Sequence, residues 1–299
     1  MNKSFLFSAA AAAFSASALF GGDVSIGGFI SNGYIQSSDH NYLVDSEDGD
    51  FAFAEAGINA TWSPAARTVV RGQLFTFELG EYGNFDPIVD YLFVDYNVSP
   101  AFGGRLGRVK RAEGIYTDIQ DIDVARTSVL LPIGMYDQRY RDFSAAVDGV
   151  SFYGNLRAGA NQSFDYNVYY GYVDLGIDSG VGGYAYTLLS RQLVNPKIEQ
   201  LKSDTNKGVQ LWWNPSVAGL RLGLSYSIYD NIELSTSGEV PFIGLPITTS
   251  SSADADMLRL SAEYFWGEWT FVSEYNEMKT DSLQTQTIAG QQGPATTNK

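Results

Sequence analysis

The chain has 299 residues, no cysteine, a single histidine and a formal net charge of −15. Without cysteine there is no disulfide framework, no zinc–cysteine cluster and no thiol nucleophile. His40 stands in a polar stretch, so a histidine base for catalysis is nearly excluded. The acidic balance argues against a nucleic-acid partner, because phosphates are bound by Lys and Arg. We therefore expect no enzyme, no metal site and no cofactor.

The first predicted element is a secretory signal peptide over residues 1–18. Lys3 supplies its positive start, Phe5–Phe14 its apolar run and Ala16-Ser17-Ala18 an A-x-A cleavage signal. A membrane-anchoring helix is the weaker alternative, since the run is shorter than the ~20 residues that span a bilayer. No later stretch is long and apolar enough for a transmembrane helix. The leader predicts export from the cytoplasm.

After this leader, short segments of alternating apolar and polar residues recur. In Met257–Trp266, Leu258 and Leu260 share one face while Arg259 and Ser261 share the other, as a period of two places them in a strand. Eleven such strands are predicted, at about 23–36, 51–62, 67–77, 87–98, 104–110, 147–158, 164–174, 206–213, 219–230, 256–266 and 268–278.

The connections between these strands alternate in length. Those after strands 2, 4, 6, 8 and 10 are short, and those after strands 1, 3, 5, 7 and 9 are longer. Tight turns on one side and long loops on the other are typical of a barrel in an outer membrane. The pattern predicts an all-β fold, a transmembrane antiparallel up-and-down β-barrel. A soluble β-sandwich or solenoid is the alternative, but it has no reason to segregate its connections.

An odd number of strands does not close a bacterial barrel, where the number is even. We expect residues 19–279 to form the barrel domain and 280–299 to be a polar tail, the beginning of a sixth external loop in a truncated chain. A twelfth strand within 175–205, with Gly183–Leu193 as the candidate, is the alternative.

The third long connection, from Arg111 to about Ala146, is unusually apolar for a solvated loop. Its surroundings carry Gly107-Arg108-Val109-Lys110, then Arg126-Thr127-Ser128-Val129-Leu130-Leu131-Pro132, Tyr136 and Asp148-Gly149-Val150. In these motifs and their order the chain resembles Gram-negative outer-membrane porins. The resemblance implies a complete barrel of sixteen strands, a homotrimer and a third loop folded into the channel. The chain departs from the pattern by lacking the final strands and a terminal aromatic residue.

Charged residues suggest how such a loop would act. We predict a pore constriction in which acids of the loop face bases of the wall: Glu113, Asp118, Asp121 and Asp123 opposite Arg71, Arg108, Lys110 and Arg157. Such a transverse field orders water and tunes ion selectivity. Ordinary lumen charges or salt bridges between loop and wall are the alternative. We expect three further arginines to pin the loop: Arg126, Arg139 and Arg141.

These features favour a water-filled channel for passive diffusion of small hydrophilic solutes and ions, located in the outer membrane. The alternatives are a substrate-selective or non-conducting structural barrel and, less favoured, a soluble secreted glycan-binding β-protein. The acidic run Asp45–Asp50 misses the spacing of a calcium loop. We expect it in an external loop, where divalent cations could bridge it to lipopolysaccharide.

Overall fold

The computed structural model describes residues 21–298, apart from 81, 121, 123–125, 127, 129 and 174. The predicted signal peptide therefore lies outside the described residues. The strands are β1 Asp23–Ile35, β2 Asp50–Ala65, β3 Thr68–Leu79, β4 Ile88–Ser99, β5 Phe102–Lys110, β6 Ala146–Arg157, β7 Ser163–Tyr172, β8 Val194–Lys202, β9 Thr205–Asn214, β10 Leu220–Glu239, β11 Pro246–Trp266, β12 Trp269–Ile288, β13 Gln291–Gln292 and β14 Thr296–Asn298. The helical segments are a 3₁₀ turn Gln138–Tyr140, α1 Arg141–Ser144 and α2 Gly180–Ser190.

All these strands belong to one antiparallel sheet. Its order is β1-β2-β3-β4-β5-β6-β7-β9-β10-β11-β12-β13, with β14 paired to β12 and β8 paired to the part of β10 beyond β9. The up-and-down antiparallel prediction is confirmed. Strands β1 and β12 run in the same direction, and no ladder joins them within the described part of the chain.

Three sequence predictions about the elements are wrong. A further strand does lie within 175–205, but it is β8 at Val194–Lys202 and not the candidate Gly183–Leu193, most of which lies in α2. The first turn of α2 is capped by the Ser179 side chain, which accepts from the Gly182 amide at 3.1 Å. Residues 231–254 are not a long loop, because β10 and β11 continue as a hairpin to Glu239 and from Pro246. Strand β12 runs to Ile288, ten residues past its predicted end at 278. The added strand residues are mostly polar on both faces and so lack the apolar alternation used to find strands.

The two faces of the sheet differ in chemistry. One row of directly paired residues, Val94, Leu106, Val150 and Tyr170, lies on a single face, and Leu106 is 65% exposed there. The opposite face carries polar side chains such as Gln73, Ser151, Gln210, Ser225 and Arg259, which are buried beneath other parts of the chain. We call these the outer and inner faces. An exposed apolar face around a polar interior is the reverse of a water-soluble sandwich.

Aromatic side chains mark one end of the outer face. Next to the short turns lie Tyr96, Phe102, Trp213, Trp266 and Trp269, all exposed. Amphipathic rings of this kind concentrate where a bilayer meets water. In the described part of the chain, none of the helices has the length and apolar character to cross a bilayer.

Candidate functional site

Residues 111–145, which we call the third loop, begin and end at one buried point. Arg111 is fully buried; its Nε donates to the Ser144 carbonyl at 2.8 Å and its Nη1 to Asn206 Oδ1 at 3.0 Å. The first contact joins the two ends of the loop, and the second fixes them to β9. The loop therefore enters and leaves the sheet as a closed unit.

Glu113 lies beside this point and is also buried. Arg111 Nη2 is 3.6 Å from Glu113 Oε2, and the Tyr169 hydroxyl of β7 donates to Oε1. Burial raises the pKa of Glu113, but the charges of Arg111 and Arg259 outweigh it, so the pKa lies below its ordinary value. Glu113 therefore carries charge in the packed interface between loop and wall.

From Glu113 the loop crosses the inner face of the strands that follow. The Gly114 amide donates to Ser225 Oγ at 3.2 Å, and Gln210 Nε2 donates to the Gly114 carbonyl at 2.8 Å. One residue later, the Ile115 amide donates to Glu274 Oε1 at 2.9 Å. The backbone thus spans from β9 and β10 to β12 within two residues.

Arg259 of β11 organises the far side of this crossing. Its guanidinium donates to the carbonyls of Glu113 at 3.4 Å and Met135 at 3.3 Å, and to Thr117 Oγ1 at 3.3 Å. The Tyr136 hydroxyl donates to Glu274 Oε2 at 2.6 Å. Burial, followed by the charge of Glu274, raises the pKa of Tyr136 and keeps the hydroxyl protonated as a donor.

The loop also contacts the opposite end of the sheet. Arg126 Nη2 is 3.6 Å from Glu55 Oε1 on β2, and both side chains are buried. Arg141 pairs with Asp90 of β4 at 2.5 Å and lies over the Phe75 ring of β3, 4.1 Å from its centroid. These contacts are of the kind expected for pinning, and the pinning role of Arg126 and Arg141 remains a proposal. For the third predicted pin, Arg139, the side chain lies outside the described residues.

The predicted constriction acids have different placements. Glu113 is buried in the wall contact, whereas Asp118 is exposed and its carbonyl accepts from Lys110 Nζ at 3.0 Å. Asp121 and Asp123 lie outside the described residues. Lys110 also pairs with Asp90 at 3.1 Å, so it lies at the base of the loop.

Of the predicted wall arginines, Arg71 is an exposed residue of the inner face, opposite Phe93. Placing Arg108 in the lumen was wrong. Its register partner is Leu92 of the outer face, and its Nη1 pairs with Asp148 Oδ2 at 3.2 Å. The physical reason is that β5 is short and rich in glycine, so it offers few apolar residues to define its faces. Arg157 is on the inner face but at the short-turn end, far along β6 from the loop.

Below the loop, inner-face charges occur in pairs with aromatic neighbours. Arg105 Nε pairs with Asp95 at 3.0 Å and lies over Tyr153, 4.4 Å from its centroid. Arg221 pairs with Glu263 at 3.1 Å and lies 4.4 Å from the centroid of Trp212. Such a wall is polar and wettable while carrying charges of both signs.

The sequence places Arg259 among the bases of the wall that face the lumen, because it lies off the apolar face of its strand. Four other residues that hold the loop were not predicted: Arg111, Asp90, Tyr169 and Glu274. For Glu274 a signal existed, since it alternates with apolar outward residues of β12, as Arg259 does on β11. No pattern in the sequence around Asp90 predicts that its side chain contacts the loop. It lies where the register between β3 and β4 shifts, between Gln73 and Leu74.

Comparison with solved structures gives matches to outer-membrane proteins. OmpF of Salmonella typhi in complex with daunomycin is 10% identical, with a TM-score of 0.44 over 90% of this chain and 87% of that one. The anion-selective porin from Comamonas acidovorans is 11% identical, with a TM-score of 0.38 over 89% and 83%. OmpT of Vibrio cholerae is 13% identical, with a TM-score of 0.32 over 93% of both chains.

Because these TM-scores are low, the fold of this chain is established from its strand pairing and not from these matches. No family model matches the chain. No curated protein matches it either.

Proposed function

We propose that this protein is a channel of the outer membrane through which small hydrophilic solutes and ions diffuse passively. The observation that carries the proposal is the combination of an exposed apolar outer face with a polar inner face that holds the third loop. Lipid covers apolar side chains at no cost, whereas charged pairs such as Arg105–Asp95 require water. The porin resemblance of the sequence motifs supports the same function.

Reconstitution into planar bilayers tests this function. We expect stepwise, ohmic conductance from the folded full chain. A folded preparation that inserts into vesicles yet gives no conductance would contradict the proposal. Solubility as a monodisperse protein without detergent would instead favour a soluble β-protein.

A non-conducting structural barrel is the second candidate. One observation favours it: apolar residues of the outward half pack into a dense cluster where a wide channel would hold water, namely Phe93, Val109, Val147, Tyr169, Val173, Leu175 and Leu201. Exclusion of neutral probes from proteoliposomes, in a protein that proves folded and inserted, would favour this candidate over the channel.

Selectivity and assembly are further parts of the proposal. Arg71 on the wall and Asp118, Asp121 and Asp123 on the loop are the charges we propose to set ion preference. The porin resemblance also suggests a homotrimer in lipid and lipopolysaccharide, which chemical cross-linking in native membranes would test. The signal peptide over residues 1–18 is tested by sequencing the N-terminus of the exported protein.

A further inference from the structure

The third loop contacts strands that are far apart in the sheet. It reaches β2 through Arg126 and Glu55, and β12 through Tyr136 and Glu274. In sheet order these strands are separated by nine steps. At ~4.8 Å for each step, the path along the sheet is about 43 Å.

The path through the loop is much shorter. Tyr136 bonds β12 and lines the same small cavity as Phe53 and Glu55 of β2. Five residues later, Arg141 stacks on Phe75 of β3. Five residues span at most ~18 Å even when fully extended. The two ends of the sheet must therefore curl towards each other, with the third loop lying as a chord between them.

At the β12 end the chord is held through Glu274 and Arg259. Glu274 accepts from the Tyr136 hydroxyl, from the Ile115 amide and from Ser261 Oγ at 3.0 Å. Arg259 holds the same two stretches of loop from β11. Carboxylate bonds of this kind are stronger than neutral ones, and Tyr136 and Arg259 are largely shielded from water. Glu274 thus binds both the outgoing stretch of the loop at Ile115 and the returning stretch at Tyr136.

We propose that Glu274 and Tyr136 are positioning residues of a tie, through which the third loop sets the curvature of the sheet. The tie fixes the separation between the β2 side and the β12 side of the molecule. Its geometry concerns the wall rather than any solute, so it does not depend on whether the protein conducts. Removing the tie lets the sheet open while each hairpin keeps its own ladder.

The absence of cysteine permits a direct measurement by electron–electron resonance between two spin labels. Labels would be attached through Ala60→Cys on β2 and Ser273→Cys on β12, both exposed outer-face positions. In lipid nanodiscs we expect one narrow distance distribution. With Glu274→Gln or Tyr136→Phe, the distribution should broaden and its mean should lengthen by at least one strand spacing, about 4.8 Å.

The matched control is Glu263→Gln on the inner face of β11, which bonds Arg221 rather than the loop. It should leave the distance unchanged. Tyr136→Phe removes only a hydroxyl, so it keeps the test valid if Glu274→Gln fails to fold. Equal distributions in the parent, Tyr136→Phe and Glu263→Gln would overturn the proposal, whatever the conductance of each variant.

Discussion

Arg108 and Asp148 lie directly opposite one another on β5 and β6, with Arg108 Nη1 3.2 Å from Asp148 Oδ2, on the same outer face as Leu92 and Leu106. If lipid covers this face, as proposed, the ion pair presents no net charge to it. It is separated by the wall from any solute on the inner side. Arg71, by contrast, lies on the inner face and is exposed there.

Selectivity should therefore respond to Arg71 and not to Arg108. Arg71→Ala removes a fixed lumen cation, so the reversal potential across a salt gradient should move towards cation preference. Arg108→Ala should leave the reversal potential within experimental scatter. A shift with Arg108→Ala that matches or exceeds the shift with Arg71→Ala would show that our assignment of the two faces is wrong.

Neutralising the loop acids should shift the reversal potential in the opposite direction. The triple change Asp118→Asn, Asp121→Asn and Asp123→Asn should move the reversal potential towards anion preference, because fixed charge at a narrow point dominates ion partitioning. Single-channel conductance should change far less than it would on plugging. An unchanged potential would remove these acids from the constriction.

Arg259 is predicted to be the most costly lumen arginine to replace. Arg259→Met leaves the buried Glu113 with one fewer counter-charge and frees two loop carbonyls. The free energy of unfolding should fall by about 3 kcal/mol, as for one partner of a buried ionic group. Arg221→Met is the control; its side chain is 41% exposed, so about 1 kcal/mol or less is expected. Urea unfolding in liposomes measures both, and equal losses would contradict the prediction.

The third loop should stay anchored well into the acid range. The folded-state pKa of Glu113 lies below the unfolded value of ~4.3, so its stabilisation is fully present above that value and is lost as pH falls through the folded pKa. Channel noise should therefore remain steady from neutral pH to about pH 4.3 and rise below it. Glu113→Gln should abolish this acid transition; persistence of the transition would place its origin elsewhere.

A charged substitution should lower the free energy of unfolding more on the outer face than on the inner face. Leu260→Arg on the outer face of β11 should destabilise the protein in bilayers by about 2–4 kcal/mol, the cost of an arginine at the lipid midplane. Val272→Arg, exposed on the inner face of β12, should cost clearly less. The free energies of unfolding of the two variants in liposomes test this prediction. A larger loss for Val272→Arg than for Leu260→Arg would show that the two faces are assigned the wrong way round.

Alternation was enough to predict the strands whose apolar and polar residues separate onto two faces. Leu258, Leu260 and Tyr264 define one face without any long-range information, and β11 and β12 meet at Gly267, between the two predicted strands. Segments without apolar contrast were missed. Ser250 and Thr285 are paired strand residues of the extended hairpins, yet their side chains give no signal for either face.

The site was harder to predict because its key contacts join residues distant in sequence. Glu274 is 138 residues from Tyr136, and Arg259 is 146 residues from the Glu113 carbonyl that it binds. Glu113 and Arg141 stand out in the loop by their charge, but nothing in the sequence pairs them with Tyr169 and Asp90. Only the curl of the sheet brings these groups together.

The hairpin of β10 and β11 extends well past the end of β9, and β8 and β12 pair with it along this extension. With 21 residues at ~3.3 Å each, β11 is about 70 Å long, and at a tilt of ~45° it rises about 50 Å, twice the ~25 Å apolar band of such barrels. Its tip carries Phe242, fully exposed and held at a φ of 69°. In an outer membrane this tip would be the first surface that an approaching antibody or bacteriophage meets. For the channel proposed above, a hairpin of this height would hold large particles away from the mouth, and small solutes would still reach it.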